Sequence, residues 1–305
     1  MLQTVQIGIN TADISGSLRL YSEAFGFRNA GAQAAWGSTI GVQGLGPDNR
    51  TLLWWMIGAQ PYFQLELFHH ATPAQRPMPP DWRPCDHGWV RFGVTVSDFD
   101  AAQDALTRFG AKPLNGVIEK AGQRRLAARD PFAGVIIEVI EGEPGGAYPR
   151  ISYVTSSVSN LETARAFYEH TLGFKLDDLS VLHHPEDEEL WGLAHAARDG
   201  FIVRTGPTLL EIVRYASPAG RPRPADYRIS DQGIMNVALG SRNVQAVETA
   251  FTRMAEVGLK PPFKVLADDT VCGYITEAER EIEFVSTPES LNAALGFLPA
   301  ADFLR

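Results

Sequence analysis

The apolar residues of the first part of the chain follow two periodicities in turn. Residues 5–10 form a strand-like apolar run, and residues 13–25 carry apolar side chains at helical spacing. Two runs rich in β-branched and aromatic residues follow at 51–57 and 62–68. The pattern predicts a strand, a helix and then further strands.

The same order starts again near residue 88. It predicts a strand at 88–96, a helix at 98–109 and strands near 114–119, 124–129 and 135–140. Gly110 follows the helix, where a positive φ is usual for a C-cap. Each half of the chain therefore predicts a β-α-β-β-β unit twice. The fold class is α+β, with four βαβββ modules.

The second half of the chain repeats the first. At a constant offset of 145, residues 65–88 and 210–233 are identical at 12 of 24 positions. A stretch rich in Gly and Pro at 143–149 indicates a linker between the halves. We predict a first domain at 1–143 with modules 1–70 and 86–143, a second domain at 149–290 with modules 149–215 and 231–290, and a C-terminal tail at 291–305.

Composition narrows the range of partners and compartments. The 305 residues carry a net charge of −9 and a pI of about 5.3, which disfavours nucleic acid and anionic membranes as partners. Only two cysteines are present, far apart in sequence, so we expect free thiols in a reducing cytoplasm. The first residues lack a signal-peptide pattern, and no apolar run approaches the length of a membrane span.

Several motifs resemble the vicinal oxygen chelate superfamily, which includes glyoxalase I, extradiol dioxygenases and bleomycin-sequestering proteins. The resemblance covers about residues 3–290. Its carriers are the strand–Asp/Asn–helix–Gly-Phe openings at Asp13–Phe27 and Asn160–Phe174, the Leu-Glu strands at Glu66 and Glu211, the Ile-Glu endings at Glu138 and Glu283, and the turn at 129–134. The second half departs from that turn at 276–280. The resemblance implies modules paired into two tandem glyoxalase-like open-barrel domains, each around a small-molecule cleft.

In that superfamily, metal ligands occupy one position on the first and one on the last strand of each module. The resemblance places those positions in the first half at Gln6, Glu66, Arg91 and Glu138. In the second half it places them at Tyr153, Glu211, Asn236 and Glu283. If each half forms its own cleft, these are two separate groups of four, which we expect to contact the substrate.

Arg91 disfavours a metal ion in the first group, because a guanidinium has no lone pair with which to bind one. Placed between Glu66 and Glu138, it would keep both carboxylates ionised through charge-assisted hydrogen bonds. We therefore expect no cofactor there. The alternative is a divalent metal held by Gln6, Glu66 and Glu138, with Arg91 turned aside.

The second group lacks histidine, as does the first, so the two-His-one-carboxylate iron pattern is absent and an extradiol dioxygenase is disfavoured. Tyr153 and Asn236 stand where imidazoles are usual. A hydrogen-bonded polar cluster is the preferred interpretation, with a hard ion such as Mg²⁺ or Ca²⁺ on Glu211, Glu283 and Asn236 as the alternative. This half is also the candidate for a purely structural role.

Strand alternation adds neighbours to the first group. Gln64, Phe68 and His70 share a face with Glu66, and His87 and Trp89 share one with Arg91. Of these, we expect Gln64, Phe68 and Trp89 to contact the substrate. His70 and His87 are then expected to meet in the first cleft, with His70 as a candidate general base or the two as a metal-ligand pair. In the alternative interpretation both lie at strand ends, hydrogen-bonded at the rim. His183 and His184 precede an acidic loop and are expected at the surface.

The repeated Pro-rich segment, with Arg76 and Arg221 near its start, joins the modules within each half. We interpret it as architecture, in which Arg83 and Arg228 pair with nearby aspartates. In the alternative, Arg76 and Arg221 guard a pocket mouth.

These observations lead to one expected function and its alternatives. We expect acid–base chemistry on a small oxygenated, aromatic or carboxylated compound, with Glu66 or Glu138 as base and Arg91 stabilising an oxyanion. The alternative is a metal-free binding or sequestering protein; a metal-dependent lyase or ring-cleaving dioxygenase ranks lower. A monomer or a homodimer would serve equally, because four modules complete both clefts.

Overall fold

A computed structural model describes residues 1–259, 263–267, 270–277 and 279–302, and it confirms an α+β fold of four βαβββ modules. The first module comprises β1 (Gln3–Asn10), α1 (Ile14–Leu20), β2 (Arg28–Trp36), β3 (Arg50–Ile57) and β4 (Gln64–Thr72). The second comprises β5 (Gly88–Val96), α2 (Phe99–Arg108), β6 (Lys112–Pro113), β7 (Ile118–Lys120), β8 (Gln123–Arg129) and β9 (Ile136–Glu141).

The second half of the chain supplies two more modules of the same order. The third comprises β10 (Arg150–Ser157), α3 (Leu161–Arg165), β11 (Leu176–Asp177), β12 (Ala197–Val203) and β13 (Leu209–Ser217). The fourth comprises β14 (Gly233–Ser241), α4 (Val244–Glu256), β15 (Phe263–Ala267), β16 (Thr270–Glu277) and β17 (Arg280–Ser286). Among the described residues, no helix is both long and apolar enough to cross a membrane.

Each module's helix begins at an Asp or Asn whose side chain accepts a hydrogen bond from a backbone N–H of the first turn, which satisfies one free donor. These caps are Asp13, Asp98, Asn160 and Asn243. The first and third helices continue into a short π-helical turn. Gly26 and Gly173 follow with φ of 87° and 77°, a conformation that glycine adopts without strain.

The modules pair across the halves of the chain. The outer sheet has the order β15-β16-β17-β14-β1-β4-β3-β2 and unites the first and fourth modules. The inner sheet has the order β11-β12-β13-β10-β5-β9-β8-β6 and unites the second and third. Antiparallel pairs join the modules, β1 with β14 and β10 with β5. The expectation that each half forms its own cleft is therefore wrong.

The connections explain this pairing. Residues 142–149 join β9 to β10, which flank β5 in one sheet, so a short linker suffices because neighbouring strands are only about 4.8 Å apart. The linker predicted at 143–149 thus connects two strands of the same sheet and does not connect the two sheets. The two Pro-rich straps, residues 73–87 and 218–232, carry the chain from one sheet to the other.

The straps bind each other through reciprocal ion pairs. Arg76 contacts Asp226, and it contacts Asp231 at 2.6 Å. Arg221 contacts Asp81 at 2.5 Å and Asp86 at 2.7 Å. The expected pairs within each strap are also present, with Arg83 at 2.7 Å from Asp86 and Arg228 at 3.4 Å from Asp231. The crossing is held by charge-assisted hydrogen bonds that fix how the sheets meet.

Strand alternation divides the apolar residues between three clusters. The largest contains side chains of the helices and one face of both sheets, such as Ile7, Phe92 and Phe284. The opposite face of each sheet carries a smaller cluster around its polar residues. These two faces hold the candidate sites.

Candidate functional site

Four of the eight positions from the family pattern meet on the outer sheet. We call Gln6, Glu66, Asn236 and Glu283 the outer site. Gln6 Nε2 lies 2.6 Å from Glu66 Oε2 and 2.9 Å from Glu283 Oε2, and Asn236 Nδ2 lies 2.9 Å from that same Glu283 oxygen. The group draws two residues from the first module and two from the fourth, so it exists only because these modules share a sheet.

The outer site opens into a cavity of about 270 Å³. Its wall is mainly apolar and aromatic, as is usual for small-molecule pockets. Trp55 is buried in the wall, and its Nε1 donates to Glu66 Oε1 at 2.9 Å. The other apolar and aromatic lining residues are Ala35, Ile40, Leu53, Phe68, Tyr274, Val285, Leu295 and Phe297.

The two carboxylates of the outer site resist ionisation together. Burial raises the pKa of Glu66 well above its usual value, the charge of Glu283 raises it further, and the Trp55 hydrogen bond opposes both. Burial also raises the pKa of Glu283, against hydrogen bonds from Cys272, Tyr274, Asn236 and Gln6. The pair is therefore suited to share a proton or a bound cation.

The donor chemistry of the outer site fits a hard divalent cation. Within the described residues, no cluster of three or more His, Cys, Asp and Glu side chains could hold a metal. The two amides complete the set here, giving oxygen donors of the kind that Mg²⁺, Ca²⁺ and Mn²⁺ accept. In the described part of the chain, Asn236 Oδ1 is buried without a hydrogen-bond partner and lies against Gly8. Since Asn236 Nδ2 faces Glu283, the amide has to turn over before its oxygen can act as a ligand there.

The other four positions form the inner site: Arg91, Glu138, Tyr153 and Glu211. Arg91 Nη2 donates to Glu211 Oε2 at 2.9 Å. The sequence predicts Arg91 between Glu66 and Glu138, and it does not lie there. Glu66 belongs to the other sheet. Glu138 instead accepts from Tyr153 Oη and pairs with Arg125 at 2.7 Å. The expected Glu66–Arg91–Glu138 group is thus wrong, because β5 and β9 share a sheet with β10 and β13, whereas β4, which carries Glu66, lies in the other sheet.

His183 closes the inner site. Its Nδ1 lies 2.8 Å from Glu211 Oε1 and its Nε2 lies 3.2 Å from Glu138 Oε2. The expected surface position is wrong, because the segment after β11 folds into the cleft and buries this ring to 1% exposure. The pKa of His183 is raised, because the charges of Glu211 and Glu138 outweigh burial, which lowers it.

The inner cleft is filled by protein. The 3₁₀ segment Pro185–Trp191 inserts Leu190 and Trp191, and the guanidinium of Arg91 lies 4.2 Å from the Trp191 ring centroid. Arg91, Glu138 and Glu211 are fully buried. Arg91 and His183 lower the pKa of Glu211, and Arg125 and His183 lower that of Glu138, although burial opposes both shifts. These charges are neutralised internally, which is typical of a structural network.

The remaining sequence candidates divide between the two sheets. Gln64 and Phe68 line the outer cavity as expected. Trp89 does not join Arg91, because an irregularity between β5 and β10 turns it into the main core, where its Nε1 donates to Glu281 O at 2.8 Å. His87 pairs with Glu279 at 2.6 Å and does not meet His70. The site residues that sequence reasoning missed are Trp55, Cys272, Tyr274 and Phe297.

His70 is held by hydrogen bonds rather than aimed at the carboxylates. Its Nδ1 lies 2.8 Å from Thr51 Oγ1, its Nε2 lies 3.2 Å from Asn10 Oδ1, and its ring stacks on Phe68 with centroids 5.8 Å apart. Burial, with a smaller effect from His69, lowers its pKa to about 4. It is therefore neutral at neutral pH.

Acid should unfold the protein partly through His70. Between pH 6.5 and pH 4 the unfolded chain binds the proton and the folded chain does not, so stability falls as pH falls through this window. At pH 4 the loss reaches up to about 3 kcal/mol at about 1.4 kcal/mol per pKa unit. Urea unfolding of the wild type and His70→Gln at both pH values measures it, and the variant should lose less. Equal losses would contradict the assignment.

Comparisons with known proteins agree with this architecture. The family model described as the Glyoxalase/Bleomycin resistance protein/Dioxygenase superfamily matches residues 3–139 and 150–264. Glyoxalase I from Zea mays is similar in structure with a TM-score of 0.60, 16% identity and coverage of 97% of this chain and 96% of that one. A protein of Bacillus subtilis subsp. subtilis str. 168 titled "putative dioxygenase" is also similar in structure. Its TM-score is 0.61 and its identity 12%, and the match covers 98% of this chain and 91% of that one. No match was found among curated proteins.

Proposed function

Because the chain belongs to the glyoxalase/bleomycin resistance protein/dioxygenase superfamily, we propose that the outer cleft is its functional site and transforms a small oxygenated molecule by proton transfer. One observation carries this proposal. Glu66 and Glu283, both buried, face an open cavity, and among the described residues neither pairs with an arginine, whereas the inner carboxylates are neutralised and covered.

The arrangement of the outer site supports proton transfer next to a carbonyl group. One carboxylate removes a proton from the carbon beside the carbonyl, and the other, in its protonated form, delivers a proton to the carbonyl oxygen. The carboxylate that took the first proton then delivers it to the former carbonyl carbon, while the other carboxylate accepts the proton of the neighbouring hydroxyl group, which becomes the new carbonyl. The isomerisation of an α-hydroxy carbonyl compound is then complete, and both carboxyl groups are back in their starting forms. Trp55 holds one oxygen of Glu66, which leaves the other directed toward Gln6 and the shared centre.

A divalent cation fits the same place, and Gln6, Glu66, Asn236 and Glu283 would hold it through oxygen atoms. Such an ion supplies Lewis acidity toward a carbonyl or hydroxyl oxygen of the ligand. This part of the proposal replaces the expected absence of a metal, since the arginine that motivated that expectation lies in the inner site.

The cavity wall favours an uncharged ligand. Among the described residues that line it there is no Lys, Arg or His, and its acidic groups are Glu66 and Glu283. A carboxylated ligand would meet these two acids without a cationic partner, which is unfavourable in a buried site. We therefore propose neutral, largely apolar hydroxycarbonyl compounds in place of carboxylated ones.

The test is hydrogen exchange in D₂O. Neutral α-hydroxy ketones and aldehydes, with and without an aromatic group, are incubated with the protein, and NMR follows loss of the proton beside the carbonyl. We expect exchange that depends on the protein, faster for neutral compounds than for matched carboxylates. No exchange across the panel, with or without added Mg²⁺ or Mn²⁺, would overturn the proton-transfer proposal.

A sequestering protein is the second candidate, and the mainly apolar wall of the cavity favours it. It predicts that the same neutral compounds bind and are released unchanged. Quenching of tryptophan fluorescence reports binding, because Trp55 lines the cavity. Binding without exchange would select this function over the first.

A further inference from the structure

The segment that follows the last strand lies across the outer cleft. We call residues 288–302 the C-terminal segment. Leu295 and Phe297 line the cavity, and Gly296 lies so close to Trp55 that a Cβ atom there would meet the indole side chain at 2.3 Å. Ala300 N donates to Asn29 O at 2.9 Å, which ties the far end of the segment to β2.

Arg242 secures the near end of this segment. Its Nη1 donates to Thr287 O at 3.0 Å, and its guanidinium lies 3.6 Å from the ring centroid of Tyr62 and 5.4 Å from that of Phe297. The Tyr62 and Phe297 rings are themselves 4.9 Å apart. The segment is therefore a packed wall of the cavity rather than a loose tail.

Gln64 connects this wall to the outer site. One end of its amide lies 2.7 Å from Gln6 Oε1, and the other lies 2.6 Å from Gly296 O and 3.0 Å from Leu295 O. Since both segment atoms are carbonyl oxygens, only the NH₂ end of Gln64 can bond to them. The oxygen of Gln64 then faces Gln6.

This orientation determines that of Gln6. To donate to the Gln64 oxygen, Gln6 must turn its NH₂ end toward Gln64. Its own oxygen then takes the position 2.6 Å from Glu66 Oε2 and 2.9 Å from Glu283 Oε2. The Gln6 oxygen repels both carboxylate oxygens at these distances unless a proton or a cation lies among them.

We propose that Gln64 and the C-terminal segment are positioning elements for the outer site: docking of the segment on Gln64 turns the Gln6 oxygen toward the two carboxylates and so prepares them for a divalent cation. Without the segment, Gln64 donates to Gln6, and the Gln6 NH₂ end satisfies both carboxylates instead. The inference rests on the proposal that the outer cleft is the functional site.

The experiment measures the dissociation constant of Mn²⁺ by electron paramagnetic resonance on the full chain and three variants. Gln64→Leu removes the amide that links the segment to Gln6, and a stop after Thr287 removes the segment. Gln33→Leu is the matched control, because it replaces an exposed glutamine of the same cavity wall. Thermal unfolding confirms that each variant is folded.

We expect the first two variants to bind Mn²⁺ about 10- to 100-fold more weakly, the usual effect of losing an outer-shell partner of a ligand. Gln33→Leu should bind within about twofold of the wild type. NMR contacts between the Gln6 NH₂ protons and the γ protons of Gln64 should be present in the full chain and lost on truncation, which a merely structural role of the segment would not require.

Unchanged Mn²⁺ affinity in folded Gln64→Leu and in the truncated chain would overturn the inference. Failure of the full chain to bind Mn²⁺ would overturn it too. Neither result decides the hydrogen-exchange test, so the proposed function stands or falls separately. Exchange activity together with unchanged Mn²⁺ affinity would retain the site and reject the positioning role.

Discussion

Replacing Arg91 with alanine is expected to lower the free energy of unfolding by about 3–5 kcal/mol, the usual cost of removing one partner of a buried ion pair. Arg91 is fully buried, donates to Glu211 and to Tyr215 Oη at 3.1 Å, and covers the Trp191 ring. Without it, Glu211 retains His183 and Thr155 but loses its buried arginine. Urea unfolding at neutral pH measures the loss.

Two further variants distinguish the loss of a buried ion pair from the general effect of replacing an arginine on stability. Arg19 forms an exposed pair with Glu23, so Arg19→Ala should cost less than about 1 kcal/mol. Arg91→Met combined with Glu211→Gln removes both charges and should recover part of the stability. If Arg91→Ala kept wild-type stability and lost hydrogen exchange, Arg91 would belong to the functional site and our assignment of the inner site would be wrong.

The second large effect concerns the carboxylates, for which the repeat supplies matched controls. Glu66 and Glu211 are equivalent at the offset of 145, and so are Glu138 and Glu283. Glu66→Gln and Glu283→Gln should each reduce hydrogen exchange by about 100-fold or more, the range for loss of an acid–base group. Glu211→Gln should leave exchange per folded molecule unchanged, because it lies in the inner site.

The two variants should affect stability in the reverse order: the one that loses hydrogen exchange should be stabilised, and the one that keeps it should be destabilised. The pKa of Glu66 is raised in the folded protein, so the ionised form is disfavoured there and Glu66→Gln is expected to stabilise the fold at neutral pH. The pKa of Glu211 is lowered, so Glu211→Gln is expected to destabilise it. Thermal unfolding and exchange rates of both variants test the two assignments together. Loss of exchange in folded Glu211→Gln would place chemistry in the inner site.

The repeat and the modules could be predicted from the sequence because each rests on local patterns. Apolar spacing and the Asp13 and Asn160 caps define the helices without reference to distant residues. The strand β2 was not defined in the sequence, because RNAGAQAAW has few residues that favour strands. All eight positions of the family pattern lie on the central strands of the two sheets, and their role in function stays a prediction.

Their division between two sites could not be predicted, because it depends on which modules share a sheet. The same strand patterns allow β1 to pair with β5 or with β14. The path of the straps through the fold determines which of the two pairs forms. One signal was available in the residues themselves. A buried Arg91 requires an acidic partner, and buried Tyr153 and His183 require hydrogen-bond acceptors. In the inner site Glu211 serves Arg91 and His183, and Glu138 serves Tyr153.

Alternation also left choices that packing decides. Trp54 and Trp55 face opposite sides of β3, and alternation alone does not determine which of them enters the cleft. Trp55 reaches Glu66, whereas Trp54 donates to Asn29 Oδ1 at 2.8 Å on the other side. The C-terminal segment had no recognisable motif, so its contribution of Leu295 and Phe297 to the cavity could not be foreseen.

The pairing of first with fourth module has a consequence for the order of synthesis. The inner sheet is continuous in sequence, from β5 to β13, and can form as soon as residue 217 has left the ribosome. The first module emerges earliest, yet its strand β1 waits for β14, so its polar edge stays unpaired while more than half of the chain is translated. A chain that stops before β14 would lack the outer site, and the unpaired edge of β1 would be open to pairing with other chains.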